Sequence, residues 1–218
     1  MRKILKDMSS DRKILICMQT ILYCSIPPIL LVVFVTIAMV LVNGRMYDSA
    51  YFIVFIQQTL PITLAYGVIP ILIYKGIKQG SLSEIGIKAS KYRIVDFINI
   101  AVLSIFTFLL INKGIFTHDV SIYVIHYFFV AVSEEILVRG LILKKLKEVI
   151  SKEYIAIIIS AVIFALVFHS TDGIFTNLLY RVPFGVITAY LYIKTDSMIS
   201  PIILHWIYNV TITIQEVL

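Results

Sequence analysis

The chain has 218 residues, of which 60% are hydrophobic and 15% charged, with net charge +6 and a mean hydropathy of +0.96. A soluble domain of this size is about 45–50% apolar, so composition excludes an ordinary water-soluble fold. The positive balance is not a nucleic-acid signal, because the basic residues lie in short connections between apolar runs.

Apolar segments fall at 20–42, 51–74, 94–112, 120–143, 154–169, 174–193 and 197–217. A helix needs about 20 apolar residues to cross a bilayer. The expected fold is therefore all-α, a polytopic transmembrane helix bundle of seven spans, forming one integral-membrane domain over 1–218. An eighth span or a re-entrant piece is the alternative. The start, residues 1–13, is basic and has no small-residue cleavage site after it. It is read as the lead into a first transmembrane helix rather than a cleaved signal. Pro27-Pro28 suits a first helical turn, which would move the start of that span to near Ser25. Cys17 and Cys24 lie seven apart, about 10 Å along a helix axis. That is too far for a disulfide, and no thiolate metal motif exists, so both read as apolar side chains.

Charge sets the orientation. Residues 1–13, 75–93 and 139–153 each carry five Lys or Arg, and Lys194 adds one. The opposite connections carry only Arg45 and Lys113. Basic residues concentrate on the cytoplasmic side, so the N-terminus is expected in the cytoplasm. With seven spans the C-terminus is outside, and an eighth would reverse that. Residues 75–93, with three glycines, read as a cytoplasmic loop or a short surface helix.

The fourth span ends Ser133-Glu134-Glu135-Ile136-Leu137-Val138-Arg139-Gly140. Carboxylates inside a membrane helix cost about 2.5–3.5 kcal/mol each on insertion scales, so a chain that keeps two there usually uses them. Glu135 and Arg139 stand four apart with the acid first, the favourable helical orientation. Glu134 lies about 100° around the helix and has no such partner. Apolar surroundings make a carboxylate more basic, which is what a general base near neutral pH needs. Glu134 is the candidate base and Glu135–Arg139 the candidate support. The competing reading makes both glutamates part of a structural network with Arg139 and Arg181.

The fifth span is short and closes at His169. Counted from Ile155, His169 lies about 21 Å in, beyond the other polar groups. His205 and Asn209 in the seventh span share a face, about 12 and 18 Å from Ser197. Glu134, counted back from Lys144, lies about 15 Å deep. An acid, an imidazole and an amide are thus expected at one level. A His/Asn pair bonding a neighbouring helix is the alternative. His126 reads as an interface residue. Arg181, in the sixth span, reads as a charge partner for Glu135 or Asp172, or as a group facing the cavity.

Together these stretches resemble the CAAX protease and bacteriocin-processing (CPBP, or Abi) family of intramembrane proteases. That family carries Glu-Glu-x-x-x-Arg, Phe-x-x-x-His and His-x-x-x-Asn/Asp motifs. Here the first is Glu134 to Arg139 followed by Gly140, and the last is His205 to Asn209. The middle motif departs from the pattern. Ala165 stands four before His169 and Phe164 five before, as if the local helix carried one extra residue. The resemblance covers 120–211 as a catalytic core, with residues 1–119 as N-terminal transmembrane helices.

The resemblance implies an endopeptidase acting on a hydrophobic or lipidated peptide. Eukaryotic relatives trim prenylated CAAX proteins. Bacterial relatives are linked to bacteriocin self-immunity, peptide maturation and signalling-peptide export. The Ile- and Lys-rich composition resembles low-GC Gram-positive bacteria. In the implied mechanism Glu134, aided by His169, deprotonates a water. His205 and Asn209 donate to the oxyanion, and Glu135 and Arg139 hold the site. No cofactor is favoured. The alternative is Zn²⁺ on Glu134, His169 and His205, although no His-Glu-x-x-His motif is present. A non-catalytic membrane immunity or binding protein is the rival function. A proton-coupled transporter is a third reading, weakened by the lack of repeated halves.

Overall fold

The computed structural model describes residues 9–42, 49–78, 80–114, 118–171 and 173–217, and these form helices and short connections without strands. Seven helices follow in order: α1 (Ser10–Val42), α2 (residues 50–78), α3 (Arg93–Asn112), α4 (residues 118–149), α5 (Glu153–Phe168), α6 (Ile174–Thr195) and α7 (Ile199–Val217). Five of them are long and apolar enough to cross a membrane, and α5 and α7 are shorter apolar helices. The polytopic helical bundle expected from the sequence is therefore the observed fold.

Burial identifies the central helix. The most apolar window of α4 is 61% buried, against 11% in α1 and in α3. Helix α4 packs on α2 and α7, and its C-terminal half also meets α1 and α5. Outward apolar side chains such as Val40 (69% exposed) and Phe97 (68%) form faces that would be costly in water and cost nothing in lipid. The chain is an integral membrane protein.

Two sequence expectations change here. The first helix does not start near Ser25; it runs unbroken from Ser10, with Pro27 and Pro28 in its interior. An interior proline removes a helix hydrogen bond, and membrane helices tolerate this where neighbours cover the gap. Tyr23 and Pro27 meet Ile69 and Pro70 of α2 across a small apolar cleft. The connection between α2 and α3 is also no simple surface loop. It folds into a 3₁₀ turn, Leu82–Ile85, closed by a capping box between Ser81 and Glu84, which satisfies two backbone donors at once. Ile85 is fully buried. Met198 N–H donates to Gly86 O (2.9 Å), and Lys91 N–H donates to Thr195 O (2.8 Å). Ser197 Oγ donates to Lys88 O at 2.6 Å. The connection is thus docked onto the α6–α7 turn. Arg45 and the first eight residues lie outside the described segments.

Candidate active site

The site forms where α4, α5, α6 and α7 meet. The α6–α7 turn fixes the level of α7 against α4. A Cβ on Gly140 would run into Met198 Cε and lie 3.1 Å from Ile85 O, so a larger residue there would make Met198 and the turn shift. Glu135 stands five residues before Gly140 and His205 seven after Met198. Both are thus about 8–10 Å further into the bundle. Likewise, Glu134 lies 15 residues before Val149, the end of α4, and His169 lies 16 after Glu153, the start of α5. The expectation that His169 falls beyond Glu134 counted α4 only from Lys144. The helix continues to Val149, and the two residues are level.

Glu135 is the hub. Its Oε2 lies 3.2 Å from Arg139 Nε, and its Oε1 lies 2.9 Å from His205 Nδ1. All three side chains are fully buried. An ionised carboxylate only accepts hydrogen bonds, so Nδ1 of His205 carries the proton and donates. That leaves Nε2 of His205 facing Glu134, 3.5 Å from its Oε2. His169 Nε2 lies 3.8 Å from the same oxygen. Glu134 is 4% exposed. Its Oε2 and the His205 Nε2 are buried without a hydrogen-bond partner among the described residues. At 3.5 Å the two atoms lie just beyond ordinary hydrogen-bond distance of each other.

Arg139 is clamped from the other side. Its Nη2 donates to Gly185 O at 3.3 Å and to Thr188 Oγ1, both on α6. Its guanidinium carbon lies 4.7 Å from the centre of the Phe164 ring, a cation–π contact strengthened by burial. Phe164 also meets His169 edge-on at 4.8 Å and His205 at 5.7 Å. Phe184 packs against His205 at 5.2 Å. The imidazoles are therefore held by rings and by one carboxylate.

The last turn of α5, Phe164–Phe168, is a π-helix. Its hydrogen bonds run i→i+5, so a residue five positions back takes the place that one four back has in an α-helix. The extra residue inferred from the Phe164–His169 spacing is this turn. Asn177 Nδ2 then donates to His169 O at 2.9 Å, satisfying a carbonyl at the helix end.

Sequence reasoning brought Glu134, Glu135, Arg139, His169 and His205 together, and the structure places all five in contact. Asn209, one turn beyond His205, is half-buried and makes no hydrogen bond with another described residue. The Glu135–His205 bond, Thr188, Gly185 and Phe184 were not anticipated. Thr188 was detectable only as a polar residue in an apolar run. Arg181 does not partner Glu135, whose oxygens serve Arg139 and His205. Asp172 lies outside the described residues. His126 is an interface residue, with its Nδ1 2.9 Å from Thr59 Oγ1 of α2. Among the described residues, no three His, Cys, Asp or Glu side chains have the geometry to hold a metal ion.

Residues 116–211 match the model of the family described as type II CAAX prenyl endopeptidase Rce1-like. No curated protein and no solved structure matches the chain.

Proposed function

We propose that this chain is an intramembrane endopeptidase, on the premise that residues 116–211 match the Rce1-like CAAX prenyl endopeptidase family model. Its substrate is a hydrophobic or lipidated peptide, cut at a site inside the bundle. The observation that carries the reading is the convergence of Glu134 Oε2 with the Nε2 atoms of His205 and His169, at 3.5 and 3.8 Å.

A water held there loses its proton to Glu134, aided by His169, and attacks the peptide carbonyl. The proton on Glu134 then passes to the leaving amine. For His205 to donate to the developing oxyanion, its Nε2 must carry a proton while Nδ1 stays on Glu135. The imidazole is then doubly protonated, and Glu135 stabilises that charge. Asn209 supplies a second donor from the next turn of α7. Preorganised donors of this kind act most strongly in a water-excluded site. The reaction is written here with a metal-free glutamate base, which suffices chemically. Zinc on Glu134, His169 and His205 is the competing mechanism. Stoichiometric zinc in purified protein, with loss of cleavage on chelation and recovery on zinc addition, would establish it instead.

The N-terminus is assigned to the cytoplasm, and the site opens toward that side, on the strength of the basic connections. In a bacterium the activity would serve peptide maturation or bacteriocin self-immunity.

The test compares purified wild type with Glu134→Ala, in lipid nanodiscs, on hydrophobic peptides with and without a prenyl group. Cleavage by the wild type alone supports the reading. Equal cleavage by both proteins removes Glu134 from the reaction; cleavage by neither, or protection of cells that survives Glu134→Ala, supports the non-catalytic immunity reading.

A further inference from the structure

A cavity lies between α3, α6 and α7, with a volume of about 430 Å³. Ile98 and Val102 of α3 form one wall, and Ile203 and Ile207 of α7 form the other. The polar pair inside it is already matched: Asn99 Nδ2 donates to Ser200 Oγ at 2.9 Å. From Val95 to Val102 the apolar wall runs about 10 Å along α3. The outward face of α3 is exposed and apolar, with Ile94 at 66% and Phe97 at 68%. The cavity therefore borders lipid.

One end of the cavity is different. Tyr92 and Lys194 line it, and Lys91 and Arg93 flank Tyr92 in the chain. Lys194 Nζ lies over the Tyr190 ring at 5.4 Å, and Lys91 Nζ lies over the Tyr92 ring at 5.4 Å. Tyrosines with adjacent Lys and Arg mark the level of lipid headgroups. Among the described residues no carboxylate lines the cavity. The two nearest in sequence are engaged elsewhere. Asp196 Oδ2 is 2.5 Å from Lys88 Nζ, and Asp96 Oδ1 accepts from Ser90 N–H at 3.1 Å.

We propose that this groove is a binding site for one anionic phospholipid. An acyl chain lies between Val102 and Ile203, and the phosphate lies against Lys194 and the Lys91–Arg93 segment. The apolar walls select a chain and the basic mouth selects an anion. A water-soluble protein partner cannot reach walls at this depth. The inference rests on the lining of this groove and not on the proposed reaction.

The test uses purified full-length chain in nanodiscs of phosphatidylcholine with or without phosphatidylglycerol, read by native mass spectrometry after lipid exchange. The wild type is expected to retain one phosphatidylglycerol in preference to phosphatidylcholine. Each basic side chain near a membrane surface contributes about fivefold to binding an anionic lipid. Lys194→Glu should therefore lower phosphatidylglycerol retention by at least about fivefold. Val102→Trp should lower retention of either lipid by filling the groove. Lys113→Glu, at the opposite end of α3, should change nothing. Equal retention of both lipids by the wild type, or unchanged retention in Lys194→Glu and Val102→Trp, overturns the proposal. So does displacement of the bound lipid by a prenylated peptide, which would make the groove a substrate site.

Discussion

Glu135 Oε1 lies 2.9 Å from His205 Nδ1 while its other oxygen holds Arg139, so one buried carboxylate joins the helix that carries the acid to the helix that carries the imidazole. The two glutamates, adjacent in sequence, are thereby divided. Glu135 has both oxygens occupied within the protein. Glu134 Oε2 faces the Nε2 atoms of two histidines, at 3.5 Å from His205 and 3.8 Å from His169.

That division predicts different losses at neighbouring positions. Glu135→Ala strands Arg139 in a fully buried site, and breaking a buried pair costs about 3–5 kcal/mol. Glu134→Ala removes no bonded partner from Arg139 and should cost less than about 2 kcal/mol. Both should abolish peptide cleavage. Thermal unfolding in detergent, read with product formation, checks this. Equal destabilisation by the two variants would contradict the division.

Glu135→Gln separates geometry from charge. The amide keeps the volume and leaves an oxygen for His205, but it removes the negative charge that stabilises a doubly protonated imidazole. The turnover rate should fall by about 10²–10³, the usual cost of losing an oxyanion donor, with little change in KM. Steady-state kinetics on a lipidated peptide decide it. A rise in KM with an unchanged turnover rate would assign Glu135 to substrate binding instead.

Helix α6 contributes through close approach. A Cβ on Gly185 would lie 3.0 Å from Ala161 Cβ and 3.1 Å from its Cα, so α5 and α6 would have to part. Gly185→Ala should destabilise by about 1–3 kcal/mol and lower activity by moving Phe164 and the clamp on Arg139. Thr188→Val keeps the shape but removes the hydroxyl that accepts from Arg139, a loss of about 1–3 kcal/mol. Unfolding of both variants in detergent measures these values.

Much of this arrangement was legible in the chain. Runs of apolar residues fixed the spans, since no other pattern hides the backbone from lipid. The spacing of Glu135 and Arg139 fixed their pairing, because i and i+4 share a helix face. Depth counting succeeded for His205 and failed for His169, because charge at Lys144 looked like the end of a helix that continues to Val149. Contacts between helices were harder to see. Nothing local distinguishes Thr188 from any polar residue in an apolar run, and the Glu135–His205 bond depends on how two distant helices rotate. The docking of residues 80–92 was hidden for a similar reason. Ile85 reads as one apolar residue in a polar loop until Met198 and Gly140 give it a place.

The π-turn of α5 yields a test of register. Removing one residue between Phe164 and His169 would convert the turn to α geometry, with the phenylalanine four before the histidine. Val167, which is 37% exposed, is the position to delete. The Val167 deletion should keep the Phe164–His169 contact and retain part of the activity. Deleting Ile159, about two turns earlier, would rotate Ser160 and Ala161 off their buried face and should abolish folding. Similar yields and activities for the two deletions would argue against the register.

The docked connection carries a pH dependence of its own. Glu84 lies outside the spans, and its carboxyl is held below its ordinary value of 4.5, first by the Ser81 N–H, then by the Tyr74 hydroxyl and the Lys144 charge. Lys144 Nζ lies 3.6 Å from Glu84 Oε2 and also donates to Glu84 O at 2.8 Å. The folded state thus favours the ionised form. A group whose folded value is depressed stabilises above its unfolded value and loses that contribution as pH falls through the folded one. Stability from Glu84 should therefore be constant between pH 8 and 6 and decline below about pH 4.5. Glu84→Gln should flatten that acid limb while leaving the neutral-pH site intact, because the capping box and the Lys144 contact lie near Gly140 and Met198 rather than Glu134. Unfolding midpoints of wild type and Glu84→Gln across pH 3–8 measure the difference. Parallel curves for the two proteins below pH 4.5 would show that the docking does not depend on the ionised carboxylate.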